Sequence, residues 1–184
     1  MNYKILMGTL LSLSMSACSQ FPTLLQKWPM IDRFQIRDNV IVDTRSDLMW
    51  SRCLIGATWN GITCQGTATI YHWQQIQQNF KTINYAGYHD WRIPTLDELK
   101  LLTNRETMIP TAKIPYLNPN VFPMPNCHGI EGRLNNDART CWQWSSTPID
   151  GSDYYAWIVY FGYGYGSASY QTDTFALRLV HNNR

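Results

Sequence analysis

The chain is expected to fold as an α+β domain in which two helices pack on small antiparallel sheets. Three observations predict this. Trp73, Ile76, Phe80 and Ile83 recur at helical spacing, with Gln74, Gln75, Gln77 and Gln78 on the opposite face. Thr95-Leu96-Asp97-Glu98 has the form of a capping box opening a second helix. Short alternating or β-branched runs bounded by Gly, Asn and Asp surround both. With 184 residues there is room for one domain with a sizeable core. Hydrophobic residues reach 45% and charged ones only 15%, which excludes a disordered chain. A net charge of +2 with no basic run argues against a nucleic-acid partner.

Taken in order, residues 1–17 carry Lys4, an apolar run from Ile5 to Leu13 and then small residues, the pattern of a secretory signal peptide. Met15-Ser16-Ala17-Cys18 resembles the lipobox of bacterial lipoprotein precursors. That resemblance implies cleavage before Cys18 and lipidation of its sulfur and new amino group. Ser19 after it resembles an outer-membrane address, so the expected location is the outer membrane, held by lipid. Residues 18–33 form an apolar tether with Leu24, Leu25 and Trp28, stiffened by Pro22 and Pro29. Such a segment is expected to pack on its own domain, on lipid or on a neighbouring protein.

Residues 34–184 make the domain. Phe34-Gln35-Ile36, Val40-Ile41-Val42 and Leu48-Met49-Trp50 read as three short strands. A Cys53–Cys64 loop follows, then a helix over Tyr71 to Asn84. At Gly87-Tyr88-His89-Asp90-Trp91-Arg92-Ile93-Pro94 an extended piece turns into a helix from Thr95 to about Asn104. Gly87 permits the turn, Pro94 ends the extended piece, and Thr95 and Glu98 cap the helix. Asp90-Trp91-Arg92 is expected to make buried or half-buried polar links at this corner. Ile109 to Arg139 is long, proline-rich and irregular. Trp142 to Ser146, Ala156 to Phe161 and Thr174 to Val180 read as strands, and Gly162 to Gly166 as a flexible aromatic hairpin tip.

Beyond Cys18, the exported chain has Cys53, Cys64, Cys127 and Cys141, which read as two disulfides with three possible connectivities. Cys53–Cys64 with Cys127–Cys141 is preferred, because each closes a short loop. No C-x-x-C pair points to a metal. His72, His89, His128 and His181 form no H-x-x-x-H pair and neighbour no serine nucleophile motif. No catalytic residue, metal or cofactor is expected. The best surface candidates for ligand contact are Tyr163, Tyr165 and Tyr170, in a Gly/Ser-rich stretch.

The stretch from Gly87 to Leu99 resembles the signature of the collagen-like adhesin C-terminal (Lcl C-terminal) domain family. Gly87, Asp90, Trp91, Arg92, Pro94, Thr95 and Glu98 carry the match. Asp47-Leu48-Met49-Trp50, Trp144-Ser145-Ser146 and Ala176 to Val180 match in order, with Asp47 where the family usually has Gly. The resemblance implies a C-type-lectin-like fold whose first and last strands pair and whose long loop often carries the ligand site. It implies a family of bacterial surface proteins and no particular ligand. The expectation is a non-catalytic outer-membrane lipoprotein, a structural or accessory subunit of a cell-envelope assembly such as a secretion-system outer-membrane complex. Its partners would be the membrane and other envelope proteins. The alternative is an adhesin-like surface module that binds glycans or host and matrix polymers.

Overall fold

The computed structural model describes residues 33–80, 83–103, 117–124 and 136–183. The signal segment, the tether with Cys18, Leu24, Leu25 and Trp28, and Cys127 lie outside the described residues. Within them run thirteen strands and three helices of six or seven residues. The expectation of an α+β, C-type-lectin-like domain is therefore corrected: the chain is mostly β, in several sheets.

The first half shows why. Tyr71 and Ile83, at either end of the helix expected over Tyr71 to Asn84, lie in strands. Tyr71 pairs with Phe175 through β6 (Ile70–His72), and Ile83 pairs with Trp91 through β7 (Ile83–Tyr85). Only Trp73–Asn79 remains helical as α1, with Ile76 as its buried residue. A short helix in water is marginal by itself, so ladder bonds at both ends outcompete it. The second helix, α2 (Leu96–Leu101), is present where its capping box places it.

Four strands make the first sheet: β1 (Phe34–Arg37), β2 (Val40–Asp43), β3 (Leu48–Ser51) and β13 (Val180–Asn182), in the order β1-β2-β3-β13. The last strand thus pairs with β3 and not with the first strand, correcting that expectation. The registers still bring Phe34, Asp43, Leu48 and Asn182 into one row, so β1 starts where β13 ends. Every residue of β2 and β3 is buried, because both faces of the sheet are covered. On one face Ile41 and Trp50 meet Leu96, Leu99 and Phe122. On the other, Val40, Val42 and Met49 share a core with Trp91, Trp144 and Ile158.

The second sheet runs β11-β10-β9-β12-β6, built from β9 (Trp142–Pro148), β10 (Tyr155–Tyr160), β11 (Tyr165–Tyr170) and β12 (Thr174–Ala176) beside β6. Its strands are antiparallel except where β12 meets β9 in parallel. The expected closing strand is really two. β12 belongs to the second sheet, β13 to the first, and buried Leu177, Arg178 and Leu179 cross between them. A third helix, α3 (Asn136–Cys141), occupies the end of the stretch expected to be irregular. Leu117, Val121 and Phe122, from the same stretch, are core residues. They serve packing, while residues 109–116 and 125–135 of this stretch lie outside the described residues.

Two hairpins complete the chain, β4 (Ala57–Trp59) with β5 (Cys64–Gly66), and β7 with β8 (Tyr88–Trp91). Cys53–Cys64, one of the two expected disulfides, is the one between two described residues. Cys141 is also oxidised, but the Cys127 half of the preferred second pair lies outside the described residues. No described helix is long and apolar enough to cross a membrane.

Candidate functional site

The corner that dominates the sequence is satisfied from within. Trp91 is fully buried, donates its indole N–H to the Tyr85 carbonyl at 2.9 Å and meets the Tyr85 ring edge-on at 5.3 Å. Arg92 exchanges backbone hydrogen bonds with Val180 in β13. Its guanidinium grips Glu98 through two bonds of 2.6 and 2.7 Å and reaches Asn182 at 3.1 Å. Glu98 also accepts from the Thr95 N–H, while Thr95 Oγ1 accepts from the Glu98 N–H. Burial would raise the Glu98 carboxyl, but hydrogen bonds from Arg92 and Thr95 outweigh it and hold it below its ordinary value. The Pro94 carbonyl accepts from Ser146 in β9. Trp91 and Arg92 make the expected polar links. Asp90 departs from that expectation: it is exposed, with a φ of +63°. Asp tolerates that left-handed backbone better than most residues, and there the hairpin register shifts. The motif therefore joins β8, α2, β9 and β13, with Arg92 and Glu98 engaged in the corner.

The other candidate lies on the second sheet. Period-two alternation puts Tyr165, Ser167 and Ser169 on one face of β11. The register sets Tyr165 opposite Tyr160, and Tyr160 opposite Trp142, so three aromatics form one row across three strands. Trp142 and Tyr160 stack at 4.4 Å, and Tyr165 meets both at 5.9 Å. Tyr163, in the β10–β11 turn, adds a ring 5.5 Å from Tyr160. Tyr160 is 5% exposed, and burial pushes its hydroxyl pKa up. Tyr163 and Tyr165 are 43% and 39% exposed.

Next to this row a groove of about 260 Å³ opens between β11 and the β12–α3 side, with Ile158 in its floor. Trp142 and Phe175 wall it, their rings 6.1 Å apart. Ser167, Ser169, Asp173, Thr174 and Arg139 line its polar part. Ser169 donates to the Asp173 carboxylate at 2.6 Å, and Arg139 donates to the Thr174 hydroxyl. The groove thus offers adjoining aromatic surface, hydroxyls, one acceptor-only carboxylate and one donor-only guanidinium.

Of the three tyrosines singled out from the sequence, the structure brings Tyr163 and Tyr165 together and leaves Tyr170 apart. Tyr170 lies at the other end of β11, on the opposite face, 4.6 Å from Tyr155. The adjacent Tyr170 side chain raises the Tyr155 pKa. Trp142, Ser167, Ser169, Asp173 and Phe175 escaped the sequence reading as site residues. The usable signal was the alternation in Tyr165-Gly-Ser-Ala-Ser-Tyr, which Gly and Ser disguise because they are poor strand formers. Among the described residues no group of three or more His, Cys, Asp or Glu side chains gathers as a metal site would require. The family model of the Lcl C-terminal domain matches residues 39–181. A comparison with curated proteins finds no match.

Proposed function

The chain belongs to the Lcl C-terminal domain family, and from that premise we propose a non-catalytic module, lipid-anchored in the outer membrane through Cys18, that binds a polymer through its second sheet. Membership indicates a surface or adhesin-like module. The observation that carries the binding reading is the row of Trp142, Tyr160 and Tyr165 with Tyr163 beside it, open to solvent at one end and continuous with a polar groove. Large rings with a polar tip give contact area at low entropy cost. A non-catalytic role is supported by the engagement of Arg92 and Glu98 in the corner. The test uses full-length lipidated protein on immobilised glycans and matrix polymers. Binding that falls tenfold or more in Tyr163→Ala/Tyr165→Ala supports the reading. Failure to retain any polymer overturns it.

A second reading is favoured by the apolar tether. Leu24, Leu25 and Trp28 would be poorly solvated as a free stalk, and they suit docking on another envelope protein in a larger assembly. Affinity purification from gently solubilised outer membranes tests this. Stoichiometric partners lost on changing those three residues to Ser support it. A protein recovered alone, unaltered by the changes, removes it.

A further inference from the structure

We infer that the groove beside Trp142 binds a single neutral hexopyranose ring, as an end or side branch of a larger glycan. This rests on the surface-module reading and names the ligand class of its site. Size comes first. At about 260 Å³ the groove lies below the ~300–1,000 Å³ usual for drug-sized ligands, so it suits one ring. The walls come second. Trp142 and Phe175, in contact with each other, present adjoining apolar ring surface, which suits the C–H face of a pyranose.

The polar rim then decides between classes. Asp173 only accepts hydrogen bonds and Arg139 only donates them, while Ser167, Ser169 and Thr174 do both. Vicinal hydroxyls do both as well, so a diol can bridge Asp173 and Arg139 without bringing a charge of its own. The two charges cancel, and each already holds a hydroxyl of this chain. An anionic sugar would lose at Asp173 what it gains at Arg139, so a charge of its own brings it no advantage. A wholly apolar ligand would cover five polar side chains with nothing to satisfy them.

The geometry also separates this site from the tyrosine pair at the far end of the strand. Tyr155 and Tyr170 lie on the opposite face of the sheet. Changing Tyr170 should leave the groove untouched.

The experiment is an NMR titration of the full-length protein in detergent with neutral methyl hexopyranosides, following the Trp142 indole N–H and the Ser167 and Ser169 amides. One ring contributes few heavy atoms, so a Kd of about 1 mM is expected. Asp173→Asn and Ser169→Ala should each weaken binding about tenfold, with far-UV circular dichroism unchanged, and Tyr170→Ala should not affect it. Added salt should leave the affinity unchanged, since no ion pair forms. The proposal is overturned if no hexopyranoside perturbs these signals at ten times that concentration. It is overturned equally if glucuronate or a zwitterionic amino acid binds more tightly, or if Asp173→Asn has no effect. Polymer retention on immobilised glycans that is indifferent to Asp173→Asn would preserve the surface-module reading while removing this assignment of its ligand.

Discussion

Ala86 and Gly87 are the two central residues of the β7–β8 turn, between paired Tyr85 and Tyr88, and both have positive φ, 51° and 80°. A two-residue hairpin with that backbone favours Asn-Gly, because an L side chain in the left-handed region is strained. Ala86→Asn should therefore raise the urea midpoint by an amount equivalent to about 1 kcal/mol, whereas Gly87→Val should lower it. Asp47 shows the same logic from the family side. It stands where the family usually has Gly, and its φ is 55°. Arg33 and Asp43 form a buried ion pair at the start of the domain, with Ser46 and the Arg45 N–H also donating to the carboxylate. Burial alone would raise the Asp43 pKa, but these hydrogen bonds, Arg33 first, hold it below its ordinary value. A depressed folded value contributes stability that is complete above the unfolded pKa of about 4 and is lost as pH falls through the folded one. Asp43→Ala should cost about 3–5 kcal/mol, since it strands a buried cation. It should also flatten the acid limb of the stability–pH curve below about pH 5, measured by urea titration at several pH values.

At the scale of elements, what the sequence made legible follows from how local each signal is. The capping box from Thr95 to Glu98 uses only neighbouring groups, and α2 begins at Leu96 as it requires. Val40-Ile41-Val42 and Leu48-Met49-Trp50 are apolar throughout, and both strands are buried on both faces. The helix expected from Tyr71 to Asn84 was misleading because its start is claimed by a distant strand and its end by a local hairpin, pairings that helical periodicity does not record. β11 was hidden by its Gly and Ser content, and with it most of the groove. Only its pairing with β10 makes Ser167 and Ser169 neighbours of Trp142 and Phe175. The β4–β5 hairpin is the element most dependent on covalent support. It has three residues per strand, and the Arg52 guanidinium lies 3.3 Å from the Trp59 ring. Cys53–Cys64 closes an eleven-residue separation, which corresponds to about 2–3 kcal/mol on the chain-entropy account. Cys53→Ser/Cys64→Ser should lose that amount, and amide exchange should rise first in residues 57–66.

At the scale of the molecule, the two sheets are joined by one buried crossing, and its central side chain is a cation. Arg178 is fully buried, donates to the Ser51 and Arg52 carbonyls at 2.6 and 2.7 Å and lies 4.9 Å from the Phe122 ring. Burial lowers its pKa to about 9. It is one bond from Leu177 and Leu179, whose carbonyls accept from Ile55 and Ser51. The end of β3, the start of the Cys53 loop, the 117–124 segment and the crossing therefore meet at this one side chain. Both cores also draw residues from both sheets, so neither sheet can lose its packing while the other keeps its own. The chain should unfold in a single transition, with tryptophan fluorescence and far-UV circular dichroism coincident in urea. Arg178→Ala orphans two buried carbonyls, each costing about 1–3 kcal/mol, and leaves a cavity beside Phe122. The expected loss is about 3–5 kcal/mol with the transition still single. Separation of the two signals in this variant would show that the sheets unfold independently once the crossing is weakened, and that the shared cores do not by themselves hold them together.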